Sequence, residues 1–132
     1  MSRVFADTHF YVAILDKEDK WHDRAVALAE NAYEITTTEY VQIEVGNSLQ
    51  RSQARVQFPT FARALYDEEE STIVPGSERL MRAAIELFEQ YEDKRWSLTD
   101  CASFVVMRDL EIADALTADR HLAQAGFNVL LG

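Results

Sequence analysis

Acidic residues from four separate parts of the chain, Asp7, Glu44, Asp100 and Asp119, stand where carboxylates are usually unwelcome. Asp7 follows the apolar run Val4-Phe5-Ala6, and Asp119 follows the segment Ala113 to Thr117. Asp100 opens the almost wholly apolar stretch Cys101 to Met107, and Glu44 lies between Val41 and Val45, beside the apolar face of a helix. If these carboxylates meet, each pair repels by roughly 3 kcal/mol at about 5 Å and an effective dielectric near 20. A divalent cation removes that repulsion. Oxygen donors suit Mg²⁺ or Mn²⁺, whereas His9, His22 and His121 lack the paired spacing of a zinc site. One or two such ions would activate water for in-line attack on a phosphodiester and neutralise charge on the leaving oxygen.

Each acid also has a purely structural reading. Asp7, Asp100 and Asp119 suit helix caps or first-turn positions, and Glu44 suits an ion pair with an arginine or a snorkelling surface position. Their conjunction in one chain favours the metal reading. Hydroxyl residues accompany three of the acids: Thr8 and Thr117 are read as support for the site, and Thr99 as the cap of the helix that follows it. Asp114 begins a strand and is expected at its opposite end, away from the site. Cys101, flanked by apolar residues, is read as core rather than nucleophile.

The elements that would position these residues alternate. Short strands are expected from Val4 to Asp7, Glu34 to Thr38, Ser71 to Val74, Ala113 to Thr117 and Asn128 to Leu131. Between them, helical spacing runs over His9 to Leu15, His22 to Asn31, Tyr40 to Leu49, Phe58 to Leu65 with Pro59 in the first turn, Leu80 to Tyr91, the apolar segment after Asp100, and a brief helix from Asp119 to Gly126. Strands alternating with helices predict an α/β fold: a parallel sheet covered on both faces. In such a sheet ligands bind beyond the carboxyl ends of the strands, which is where Asp7 and Asp119 fall. No repeat or linker divides residues 1–132, so a single domain is expected.

A net charge of −10 argues against nucleic-acid binding through a global basic field. The charge is uneven, however. Between Val45 and Tyr66 the only charged residues are Arg51, Arg55 and Arg63, before the run Asp67 to Glu70. The single cysteine excludes an internal disulfide, and no apolar stretch approaches membrane-spanning length. The expectation is a protein of the reducing cytoplasm with no membrane partner.

Four motifs carry a family resemblance: ADT at Ala6 to Thr8, the glutamate of VQIEVGNSL, WSLTDCASF at Trp96 to Phe104, and LTADRHLAQAGF at Leu116 to Phe127. In these residues and their order the chain resembles PIN-domain ribonucleases, specifically the VapC-type toxins of bacterial toxin-antitoxin pairs. The resemblance implies a three-layer α/β/α fold with a central five-stranded parallel sheet, and Mg²⁺- or Mn²⁺-dependent endoribonuclease activity. It places Asp7, Glu44, Asp100 and Asp119 in the family's acidic quartet, catalytic and metal-binding together. It further implies an RNA substrate, a cognate antitoxin and a homodimer whose helices bring basic residues, here Arg51 and Arg55, to the substrate. Leu122 stands where many relatives have phenylalanine. A competing reading is a catalytically silent acidic module that receives a basic peptide. Phosphoryl transfer through a phospho-aspartate at Asp7 is disfavoured, because the position two residues on is His9 rather than aspartate.

Overall fold

The computed structural model describes residues 1–132. Its sheet contains strands β1 (Ser2–Ala6), β2 (Tyr33–Thr38), β3 (Ser71–Val74), β4 (Asp114–Leu116) and β5 (Asn128–Val129), in the order β3-β2-β1-β4-β5. All neighbours are parallel. Val4, Phe5 and Ala6 are fully buried in β1, as expected of a strand covered on both faces. Helices α1 (Thr8–Leu15), α2 (His22–Ala29), α3 (Glu39–Ser48), α4 (Phe58–Asp67), α5 (Glu78–Gln90), α6 (Leu98–Asp109) and α7 (Arg120–Gln124) make the crossovers that parallel strands require. This is the three-layer α/β/α architecture expected from the alternation. The last two strands are shorter than expected, because the ladder between them pairs only Asp114 with Asn128 and Ala115 with Val129.

The order creates one switch point. From β1 the chain builds outward through β2 and β3, then returns to β4 on the other side of β1, paired through Phe5 with Ala115 and Ala6 with Leu116. Crossovers therefore leave β1 and β4 in opposite directions, and a crevice opens between their carboxyl ends.

Three helices frame that crevice. The first, α1, starts at Asp7, which caps it through the His9 N–H. Thr38 caps α3 by accepting from the Val41 N–H, and burial of Val41 and Val45 turns that helix toward the core. Its C-terminal half lies close to α4, since a Cβ added at Gly46 would stand 3.1 Å from the Phe58 ring. The third, α6, buries Cys101, Ala102, Phe104, Val106 and Met107, as its nearly continuous apolar run requires.

The cap of α6 differs from the expectation. It is Ser97, not Thr99: the Ser97 side chain accepts from the Asp100 N–H while Asp100 accepts from the Ser97 N–H, a reciprocal capping box. Thr99 already lies inside the helix, where its hydroxyl cannot cap. Ser97→Ala is expected to cost about 1 kcal/mol of stability, read as a lower denaturation midpoint with an unchanged slope.

Candidate metal centre

The crevice is a cleft of about 200 Å³ lined by Asp7, Glu44, Asp100 and Asp119. Sequence elements far apart thus contribute all four acids to one depression. They are not equally close. The tightest group is Asp100, Asp119 and His121, whose potential ligand atoms lie within 4.8 Å of one another. Asp7 is the most buried of the four acids, 5% exposed, and Glu44 lines the side contributed by α3.

Asp7 is fixed at both oxygens. Its Oδ1 accepts from the His9 N–H at 3.0 Å and its Oδ2 from the Thr117 hydroxyl at 2.8 Å. Thr117 Oγ1 in turn accepts from the Asp119 N–H at 2.9 Å, and Asp119 Oδ1 accepts from the His121 N–H at 2.9 Å. A single fully buried hydroxyl thus ties the end of β1 to the turn after β4. Thr8 has a parallel position: its hydroxyl donates to the Glu44 carboxylate, joining α1 to α3. The two threonines expected to support the site therefore each contact one of the acids.

Burial pushes the Asp7 carboxyl up to about 8, and repulsion from Asp119 and Asp100 adds to the rise, against the opposing hydrogen bonds from Thr117 and the His9 N–H. Asp100 is also raised, chiefly by burial and also by the charge of Asp119. The Ser97 N–H and His121 oppose that rise. The site thus holds carboxylates at a spacing that is unfavourable without positive charge. That electrostatic deficit, together with a donor set of carboxylate oxygens and one imidazole, fits a divalent cation.

His121 had no sequence signature of its own. Its Nδ1 lies 3.1 Å from Asp100 Oδ2 and 3.5 Å from Asp119 Oδ1. The ring gets there because Asp119 caps α7, which turns the second helical residue back over the cap. Considering the histidines only in pairs could not reveal a site with one histidine and several acids. Arg95 also lines the cleft, and neither Arg51 nor Arg55 does. The Arg55 guanidinium donates instead to the Gln50 carbonyl at 3.1 Å. Asp114 lies at the amino end of β4, where it accepts from the Asn128 side chain at 2.8 Å. Cys101 is buried, and its thiol is pushed up to about 11 by burial and by the neighbouring Asp100 charge, as suits a core residue.

Thr117→Val keeps the shape of the side chain and removes both hydrogen bonds made by its hydroxyl. We expect a 10- to 100-fold loss of Mn²⁺ affinity by isothermal titration, the scale on which groups that orient metal ligands act.

No curated protein matches the sequence. A family model described as PIN domain matches residues 4–128. Among solved structures, the Mycobacterium tuberculosis toxin VapC20, described as cleaving the Sarcin-Ricin loop, superposes with a TM-score of 0.87 at 25% sequence identity, covering 98% of this chain and 99% of that one. With the match spanning nearly the whole sheet and every element that frames the crevice, the chain belongs to the PIN-domain family.

Proposed function

We infer that this chain is an RNA-cleaving nuclease of the VapC toxin type, with Asp7, Glu44, Asp100 and Asp119 as its catalytic and metal-binding acids. The observation that carries the reading is the convergence of these acids at the β1/β4 switch point of a PIN fold. A Mg²⁺ or Mn²⁺ ion held by Asp7, Asp100 and Asp119, with Glu44 completing the acidic wall, would supply Lewis-acid neutralisation at the phosphodiester and activation of water.

The chain's own groups account for the remainder. Thr117 holds Asp7 and the Asp119 backbone in one register, and Thr8 restrains the Glu44 carboxylate. His121 donates toward Asp100 and limits the rotation of a carboxylate already fixed by the Ser97 N–H. Each acid thereby presents a defined orientation before substrate arrives, which lowers the reorganisation needed at the reacting centre.

The same reading includes a cytoplasmic setting, a homodimer and an antitoxin whose basic segment enters the acidic crevice, in line with the net charge of −10. No helix is long and apolar enough to cross a membrane. A cleavage assay on structured RNA with Mn²⁺ tests the core of the proposal. Wild type should cut, chelator should stop it, and Asp100→Asn should be inactive; equal cutting by wild type and variant would reveal a contaminating nuclease and remove support for the reading. Binding of a basic peptide with no RNA cleavage by wild type would favour the silent module.

A further inference from the structure

We propose that the RNA strand crosses the acidic cleft along a channel whose two ends are marked by Arg95 and Lys20, each gripping a backbone phosphate that flanks the scissile one. The inference rests on the RNA-cleaving reading and adds the path of the substrate to it. Arg95 lines the carboxylate cleft directly. A second hollow, of about 500 Å³, carries Asp19, Lys20 and Trp21 and shares Thr8, His9 and Glu44 with the first, so the two depressions adjoin across the hydrogen-bonded Thr8 and Glu44.

Both cations are exposed, and neither has an ion-pair or hydrogen-bond partner for its side-chain charge. Lys17, Arg24, Arg51, Arg63, Arg108 and Arg120 are free in the same way, so what sets Arg95 and Lys20 apart is their place in the lining of the two depressions.

The backbone beneath each cation is clamped. On one side of Arg95, Trp96 is buried, donates its indole N–H to Gln124 at 3.3 Å and packs edge-on against Phe104. On the other side Ser97 is locked into the capping box of α6. Lys20 is held over the Trp21 ring at 5.4 Å, and the Trp21 N–H donates to Asp19 at 2.8 Å. Exposed charged tips on a fixed backbone suit the capture of successive phosphates, and the planar Arg95 fork suits bidentate contact. Four acids at the centre with one cation at each end make a pattern that fits a polyanion only when the centre is neutralised and the ends are not.

The test uses full-length protein carrying Asp100→Asn, so that RNA binds without being cut, and reads anisotropy of a labelled single-stranded oligoribonucleotide across a salt series. Arg95→Ala and Lys20→Ala should each weaken binding about tenfold and reduce the slope of log affinity against log salt by about 0.7, the value for one phosphate contact on a single strand. Arg95→Lys should keep the slope. Arg82→Ala, at the exposed pair with Glu78 on α5, should change neither quantity. In the otherwise wild-type enzyme, Arg95→Ala should raise KM and leave kcat unchanged.

If the parent binds and both alanine variants bind with the same affinity and slope, the channel is wrong while the nuclease reading stands. An equal loss from Arg82→Ala would also overturn the channel, by showing a diffuse charge effect. If wild type neither binds nor cuts any RNA, the failure belongs to the nuclease reading instead.

Discussion

Asp7→Asn is expected to lower RNA cleavage by more than about 100-fold, because groups that merely orient metal ligands already account for losses up to that size. The change should leave the fold in place. Asparagine has the same shape, its Oδ1 can accept from the His9 N–H, and its Nδ2 can donate to a lone pair of Thr117 Oγ1, which already accepts from the Asp119 N–H. The variant therefore keeps both contacts, with the Thr117 bond reversed in direction and its hydroxyl proton left without the carboxylate acceptor, and it removes the buried carboxylate that a bound cation would hold ionised. No other acid can replace it, since Glu44 is held on the α3 side by Thr8 and Asp114 is at the far end of β4. Mn²⁺ titration calorimetry and a cleavage time course on the same preparation check the result. Cleavage within threefold of wild type would show that Asp7 acts only as the cap of α1.

The placing of Asp7 and Asp119 was legible in sequence because strand ends need only local information: a short apolar run, a turn, and the rule that parallel sheets bind ligands at their carboxyl edge. Asp100 was legible because a nearly continuous apolar helix has to enter the core, which brings its first turn to the sheet. Glu44 followed from the burial of its neighbours Val41 and Val45. The cap of α6 was not, although Ser97 and Asp100 have the spacing of a capping box. Thr99 was nearer the acid, and only the extended backbone of Ser97 decides between them.

His121 shows a different limit. Its role depends on how a helix of five residues turns over Asp119, a tertiary fact with no periodic signal. Arg51 and Arg55 were singled out by the resemblance, as residues that a homodimer would bring to the substrate; within one chain they do not line the cleft, whereas Arg95, in a segment crowded with opposite charges, does. Charge contrast along the chain held no sign of Arg95, because its place in the cleft depends on how the segment before α6 packs.

Metal-free protein should lose stability relative to Asp7→Asn as pH rises from about 4 to about 8, by on the order of 4 kcal/mol at pH 7. The sign follows from the direction of the shift. Asp7 has an ordinary value of 3.8 and is raised to about 8 in the folded chain, so the folded state binds the proton more tightly than the unfolded one. Below the ordinary value both states are protonated and the carboxyl has no charge-related cost. Through the interval the unfolded chain ionises first, and the folded state falls progressively behind. Asp100, also raised, pushes in the same direction in both proteins, and its charge is part of what raises Asp7, so the comparison reads Asp7 together with that coupling. Urea denaturation in chelator at pH 5, 6.5 and 8 measures the difference. Adding Mn²⁺ at one fixed concentration, 100 times the Kd measured at pH 8, should return about 2.7 kcal/mol to wild type at pH 8 and less at lower pH, because the ion binds the ionised acids and its affinity falls as they are protonated. If wild type and Asp7→Asn keep the same gap at every pH in chelator, the buried carboxyl is already ionised and compensated within the protein. The need for a cation at this site would then disappear.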